Sequence, residues 1–216
     1  MASMTKKGTA PLLKDVAYER IKENILDEHF PPGSFLSERE LIELLQMSKT
    51  PIKNALVRLE TEGFVTVSSK QGIIINELSL NRISDIYNLR IALETYICSQ
   101  ILGKLTAEQC KQLEENLEVT EEKAMQLDIR GFTRADHDFH LLLCECLGNQ
   151  EIYRVLLNYQ DHLQRITLLH IRKEPQRMQQ FWQEHVEIYQ HLKNGDRKSV
   201  ELIEEHLQQS KQKLLF

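Results

Sequence analysis

LSERELIELLQMSKTPIKNALVRLETEGFVTVSSKQG, residues Leu36–Gly72, carries the densest run of helix caps, turn residues and periodic apolar positions in the chain. Ser37 with Glu40 three residues on is a capping box, in which each side chain satisfies the other's backbone N–H, and it starts a short helix. Ser48 caps a second helix, with Pro51 in the first turn, where a missing N–H costs little. Ile52, Ala55, Leu56 and Leu59 recur at helical spacing and form the buried face of that helix. Thr50, Lys53, Asn54 and Val57 point the other way, with Lys49 at the tip. Gly63 stops the helix, residues 64–67 alternate like a strand, Ser69, Lys70, Gln71 and Gly72 turn, and residues 73–75 return. Two helices across a tight turn, followed by a hairpin, make a winged helix-turn-helix.

No acidic residue occurs between Leu44 and Leu59. The end of the second helix is therefore locally positive, which suits entry into a phosphate-lined major groove. Lys70 at the hairpin turn is placed to touch backbone phosphate or the minor groove. Helix-turn-helix shapes also serve as protein-interaction modules, and the charge pattern alone leaves both readings open.

Outward from this stretch, residues 1–10 are polar and expected to be disordered. From Leu12 to about Glu28, Leu13, Ala17, Ile21 and Ile25 repeat every four residues and predict a first helix. The break at residues 29–33 and a short extended piece over 34–36 complete a DNA-reading domain over residues 11–77. Beyond a linker at residues 76–82 everything reads as helix, with segments near 82–103, 106–128, 130–147, 149–173, 176–193 and 196–214. Gly103, Gly148, Gly195 and Pro175 separate them, and Thr106 with Gln109 and Asp196 with Ser199 fit N-terminal caps. The expected fold is mainly α: an N-terminal winged helix-turn-helix and a C-terminal six-helix antiparallel bundle over residues 78–216.

The 216 residues carry a net charge of −5, with 41% hydrophobic and 27% charged residues, an ordinary soluble composition. Residues 1–77 hold 10 basic and 11 acidic side chains, so DNA affinity must come from local placement and not bulk charge. No apolar run is long enough for a membrane span, and the N-terminus lacks a signal-peptide core, so a cytoplasmic protein is expected. Cys98, Cys110, Cys144 and Cys146 show no metal-ribbon spacing and read as reduced packing residues.

The informative residues of the bundle are ionisable groups on faces that should be apolar. In the third bundle helix Phe132, Ala135, Phe139, Leu143 and Leu147 form one face, and Asp136 and His140 fall in its middle. His137, Asp138 and Glu145 lie on far or flanking sides, where solvated residues belong. A carboxylate and an imidazole one turn apart in a core are costly unless paired or bound to metal. His185 sits among Phe181, Trp182, Ile188, Tyr189 and Leu192, and His206 beside Leu202 and Ile203. One aspartate and three histidines from three helices fit a metal site with open positions; a hydrogen-bonded core pair plus unrelated histidines is the alternative. Arg90 lies between Ile86, Leu89, Leu93 and Ile97, with Glu94 one turn on as its obvious partner or, alternatively, an effector carboxylate. His170 falls on an apolar face with Val155, Tyr159, Leu163 and Ile166.

Pro32-Gly33, residues 36–41, Ser48-Lys49-Thr50-Pro51, Ala55-Leu56, Leu59-Glu60 and Glu62-Gly63 together resemble the DNA-binding domain of the GntR family of bacterial transcription regulators. The resemblance implies DNA contacts from Arg39 and from two recognition-helix positions that are arginine in the family and Lys49 and Lys53 here. Lysine still meets a phosphate or guanine but loses the two-pronged guanidinium fork, so the usual half-site does not transfer. Ser48, Thr50, Asn54, Lys70 and Gly72 are grouped with these as DNA-facing positions.

A second resemblance covers the bundle. Leu89-Arg90, Leu93-Glu94, Asp136 with Phe139-His140, Gly148-Asn149, Glu184-His185, Gly195-Asp196 and residues 205–207 are similar to the FCD effector domain of the fatty-acid-regulator branch of that family. It implies one divalent metal per chain held by Asp136, His140, His185 and His206. Zinc, nickel and manganese are all compatible with mixed imidazole–carboxylate ligands. It also implies an effector pocket, to which Arg90, Glu94, Asn149 and His170 are assigned. The expectation is a homodimeric, ligand-responsive regulator of a palindromic operator, whose effector is a small organic acid. A metal-responsive regulator is a second possibility. A metal-dependent enzyme is a third, against which stand the absence of an acid/base residue beside the ligands, of a nucleophile motif and of a phosphate loop.

Overall fold

The computed structural model describes residues 11–68 and 71–215. The chain divides between Glu77 and Leu78 into two compact units, each with its own core.

In the first unit, α1 (Leu13–Leu26), α2 (Glu38–Leu45) and α3 (Lys49–Glu62) enclose Ala17, Ile21, Ile25, Leu41, Ile52, Leu56 and Leu59. The four-residue repeat that predicts α1 does form a helix; of its members Leu13 is exposed while Ala17, Ile21 and Ile25 are buried, and Tyr18 joins them in the core. The Ser37–Glu40 capping box is formed in both directions. Ser48 is the N-cap residue of α3 in extended conformation, yet its side chain makes no capping hydrogen bond, so that expected role is corrected. Gly63 ends α3 in the left-handed conformation.

The wing is β2 (Val65–Ser68) and β3 (Gly72–Ile75), and the extended piece after α1 pairs with it as β1 (Phe35–Leu36). The sheet is antiparallel with order β1-β3-β2, pairing Phe35 with Ile74 and Thr66 with Ile74 from opposite sides. Gly72 has a positive φ of +86°, and a Cβ there would stand 2.7 Å from the Leu36 carbonyl oxygen. Only glycine fits where β1 crosses the hairpin.

The second unit contains α4 (Leu80–Ile101), α5 (Ala107–Met125), α6 (Ile129–Leu147), α7 (Gln150–Lys173), α8 (Arg177–Lys193) and α9 (Lys198–Leu215). The Thr106–Gln109 capping box is formed, and Asp128 and Asn149 cap α6 and α7. α4 packs on α9 and α6, α5 on α6 and α8, and α8 on α9. The element in the middle is α6, buried on several sides, with Phe132, Thr133, Ala135, Asp136, His137, Phe139, His140, Leu143 and Cys144 all inside. A helix enclosed by its neighbours has little solvent side on which to place polar residues. His137, expected at the solvated flank, is therefore buried, and its Nε2 pairs with Thr167 Oγ1 at 3.0 Å. No helix among the described residues is long and apolar enough to cross a membrane.

Candidate metal centre and nucleic-acid interface

Three imidazoles from three helices converge in the bundle: His140 on α6, His185 on α8 and His206 on α9, all buried. Their candidate ligand atoms lie within 4.8 Å of one another. His140 is turned by Glu94 of α4, whose Oε2 accepts from Nδ1 at 2.6 Å. His206 is turned the same way by Glu184 of α8, again through Nδ1 at 2.6 Å. Because a carboxylate accepts, each Nδ1 carries the proton and each Nε2 is left with a free lone pair. Phe139 stacks on His185 at 4.3 Å, and Phe181 meets His206 edge-on at 5.7 Å, walling the cluster with apolar surface.

The donor set fits a divalent cation. His185 Nε2 and His206 Nε2 stand 3.3 Å apart. Two nitrogens at about 2.0–2.1 Å from one tetrahedral zinc are separated by about 3.3–3.4 Å, so these two are already at ligand spacing. Asp136 Oδ1 lies 3.8 Å from His185 Nε2 and is buried without a hydrogen-bond partner. Burial pushes the Asp136 carboxyl up to about 6 and holds His140 and His185 well below the ordinary imidazole range. Neutral imidazoles and an unsatisfied carboxylate are what a cation would find to bind.

On the other side of His140 lies Arg90. Its Nε donates to Glu94 Oε1 at 2.6 Å, and its Nη2 is buried without a partner. Glu94 thus joins the guanidinium to His140 through its two oxygens. A small cavity of about 10 Å³ opens beside them, lined among others by Arg90, Glu94, His137, His140 and Gln160. That is about the room for one water.

Two assigned effector residues stand apart from this arrangement. Asn149 is exposed, and its side-chain oxygen caps α7 by accepting from the N–H groups of Glu151 and Ile152. His170 is half-buried and accepts from Arg177 Nη1 at 2.5 Å, its pKa pushed down to about 4 chiefly by burial. Arg177 itself is buried, stacked 4.6 Å over Phe181. The contacts of Glu184 with His206, of Arg177 with His170 and of Glu94 with His140 all escape sequence reasoning, because each joins residues of different helices.

In the first unit Arg39, Ser48, Lys49, Thr50, Lys53 and Asn54 are all exposed, as is Val57. Arg39 donates from Nε to Glu43 at 2.8 Å. Lys49 is paired with Glu38 of α2 at 2.7 Å, and Lys53 lies 3.9 Å from the same carboxylate. The acid-free run of sequence is thus partly neutralised in space by a residue from the preceding helix, and the Glu38 carboxyl is held below its usual range by its hydrogen bond to Lys49. Lys70 lies outside the described residues.

Residues 13–75 match the family described as bacterial regulatory proteins, gntR family, and residues 85–209 match the FCD domain. The chain is a GntR-family transcription regulator with an FCD domain. This GntR regulator is 24% identical over 205 residues to the HTH-type transcriptional repressor RspR of Escherichia coli K12, covering 93% of the present chain and 88% of the relative. It is 35% identical over 133 residues to a regulator in the TAR-I ttuE-ttuC' intergenic region of Agrobacterium vitis, covering 60% of this chain and 78% of that one. The fold is shared with a GntR regulator from Rhodococcus sp. RHA1, at a TM-score of 0.80 and 19% identity over 94% of this chain and 97% of that one. Members of this family regulate transcription, so the histidine cluster of the GntR regulator belongs to a DNA-binding protein and not to an enzyme.

Proposed function

We propose that this regulator acts as a cytoplasmic homodimer on a palindromic operator and senses a small organic acid at a divalent-metal site in its helical unit. The observation that carries the metal is the convergence of His140, His185 and His206 beside the unsatisfied Asp136. When bound, the ion supplies a Lewis-acidic anchor for a carboxylate oxygen. Arg90 supplies the second grip through its buried, unused Nη2. Phe139 and Phe181 exclude water, so that both interactions act at reduced dielectric. In the first unit Lys49, Thr50, Lys53 and Asn54 present one face to the major groove, with Arg39 beside it. DNA has to draw Lys49 and Lys53 away from Glu38, which makes the contact dependent on competing charge.

The acid regulates only if it binds the DNA-bound and free forms unequally. Operator affinity of the zinc-loaded protein is therefore to be measured with and without saturating small carboxylates. A reciprocal shift is expected; identical affinity under every acid tested rejects the effector reading. A second reading, in which the ion itself is the signal, draws on the small volume beside Arg90, which an acid can enter only if side chains move. It predicts operator affinity that follows free zinc with no acid present.

A further inference from the structure

We propose that Glu94 is a positioning residue that couples the arginine end of this site to its histidine end. The inference rests on the metal reading above. A single carboxylate, 2% exposed, holds Arg90 Nε by one oxygen and His140 Nδ1 by the other, both at 2.6 Å. The two oxygens are fixed in one plane, so a guanidinium that moves toward an incoming anion turns the carboxylate, and the imidazole turns with it. Arg90 Nη2, buried without a partner, is the donor left over for that anion. Both contacts are direct, at hydrogen-bond length, so movement at one end is passed on by the carboxylate itself.

Glu184 supplies an internal contrast. It holds His206 Nδ1 at the same 2.6 Å, but its other oxygen accepts from the neutral amide of Gln180 at 2.7 Å. His206 is oriented; His140 is oriented and linked. Among the described residues, a carboxylate orients a histidine of the cluster in both places, and in the Glu94 case the same carboxylate also holds Arg90.

The test needs no knowledge of the effector. Zinc affinity of the full chain is measured by chelator competition for wild type, Glu94→Gln, Glu184→Gln and Arg90→Lys, and for Arg90→Lys combined with each of the other two. Losing either carboxylate is expected to weaken zinc binding about 10- to 100-fold. Arg90→Lys, which touches no ligand atom, is expected to shift zinc affinity several-fold in the wild-type and Glu184→Gln backgrounds and not at all in Glu94→Gln. An equal shift in all three backgrounds, or none in wild type, overturns the coupling. Nitrogen-15 spectra of His140 in metal-free protein give a readout that mere folding would not move. The Nδ1–H signature should be altered by Glu94→Gln and displaced by Arg90→Lys; an unchanged signature in Arg90→Lys overturns the link even if zinc never binds. Wild type that takes up no zinc, with the His140 signature still answering to Arg90, would reject the metal reading and leave the Arg90–Glu94–His140 link standing.

Discussion

The recognition face of the winged unit and the interior of the helical unit are built from the same kinds of side chain in opposite environments. Glu38, Lys49 and Lys53 form ion pairs at the surface, where water screens them and where exchange for a DNA phosphate is easy. Arg90, Glu94 and His140 form their contacts inside a closed core, where an unpaired charge is expensive. Surface charges can therefore be tuned for a partner at little cost in stability. Interior ones cannot be changed without being felt by the fold, which suits groups that must hold one geometry until a ligand replaces a contact.

That contrast breaks most visibly at Arg90. Arg90→Ala leaves Glu94 buried with only the His140 imidazole, and should lower unfolding free energy by about 3–5 kcal/mol. Lys49→Ala should change it by less than about 1 kcal/mol. Urea denaturation of the two variants compares them directly, and equal losses would dissolve the distinction.

A smaller effect comes from pH. Burial holds His137 at about 3 and keeps His140 and His185 well below the ordinary value of about 6.5, so these folded-state values lie under those of the unfolded chain. Their stabilising contribution is complete above about pH 6.5 and is lost as pH falls below it, at up to about 1.4 kcal/mol per pH unit for each imidazole. Asp136, raised to about 6, works in the opposite direction, since the folded state takes up its proton first and gains stability on acidification between about pH 6 and 4. With three imidazoles against one carboxyl, metal-free protein should melt at lower temperature at pH 5 than at pH 7. A flat or rising melting temperature would mean that the histidines are not buried neutral.

The smallest expected effects lie on the recognition face. Lys49→Ala should weaken operator binding and lower the slope of log affinity against log salt by about 1. Glu38→Gln should do the reverse at low salt by releasing both lysines. No change in either variant would place the DNA contact elsewhere.

Much of the winged unit can be read from local sequence because its signals are local. The Ser37–Glu40 box, the stop at Gly63 and the face of Ile52, Ala55, Leu56 and Leu59 each act within a few residues. Glu38 is the exception: only the turn between α2 and α3 brings it to Lys49. In the bundle the pairs at i,i+4 are legible, and Arg90 with Glu94 forms as its spacing suggests. Glu94 on His140 and Glu184 on His206 are contacts between helices, which no spacing encodes. His137 departs from its expected solvated position because a two-sided amphipathic pattern does not describe a helix buried on most of its surface.

The most direct measurement is the metal content of purified protein, wild type beside His140→Ala, His185→Ala and His206→Ala. About one equivalent of divalent ion per chain, lost in each variant, is the predicted result. Wild type that is metal-free and cannot be reloaded would contradict it and return these three histidines to the core.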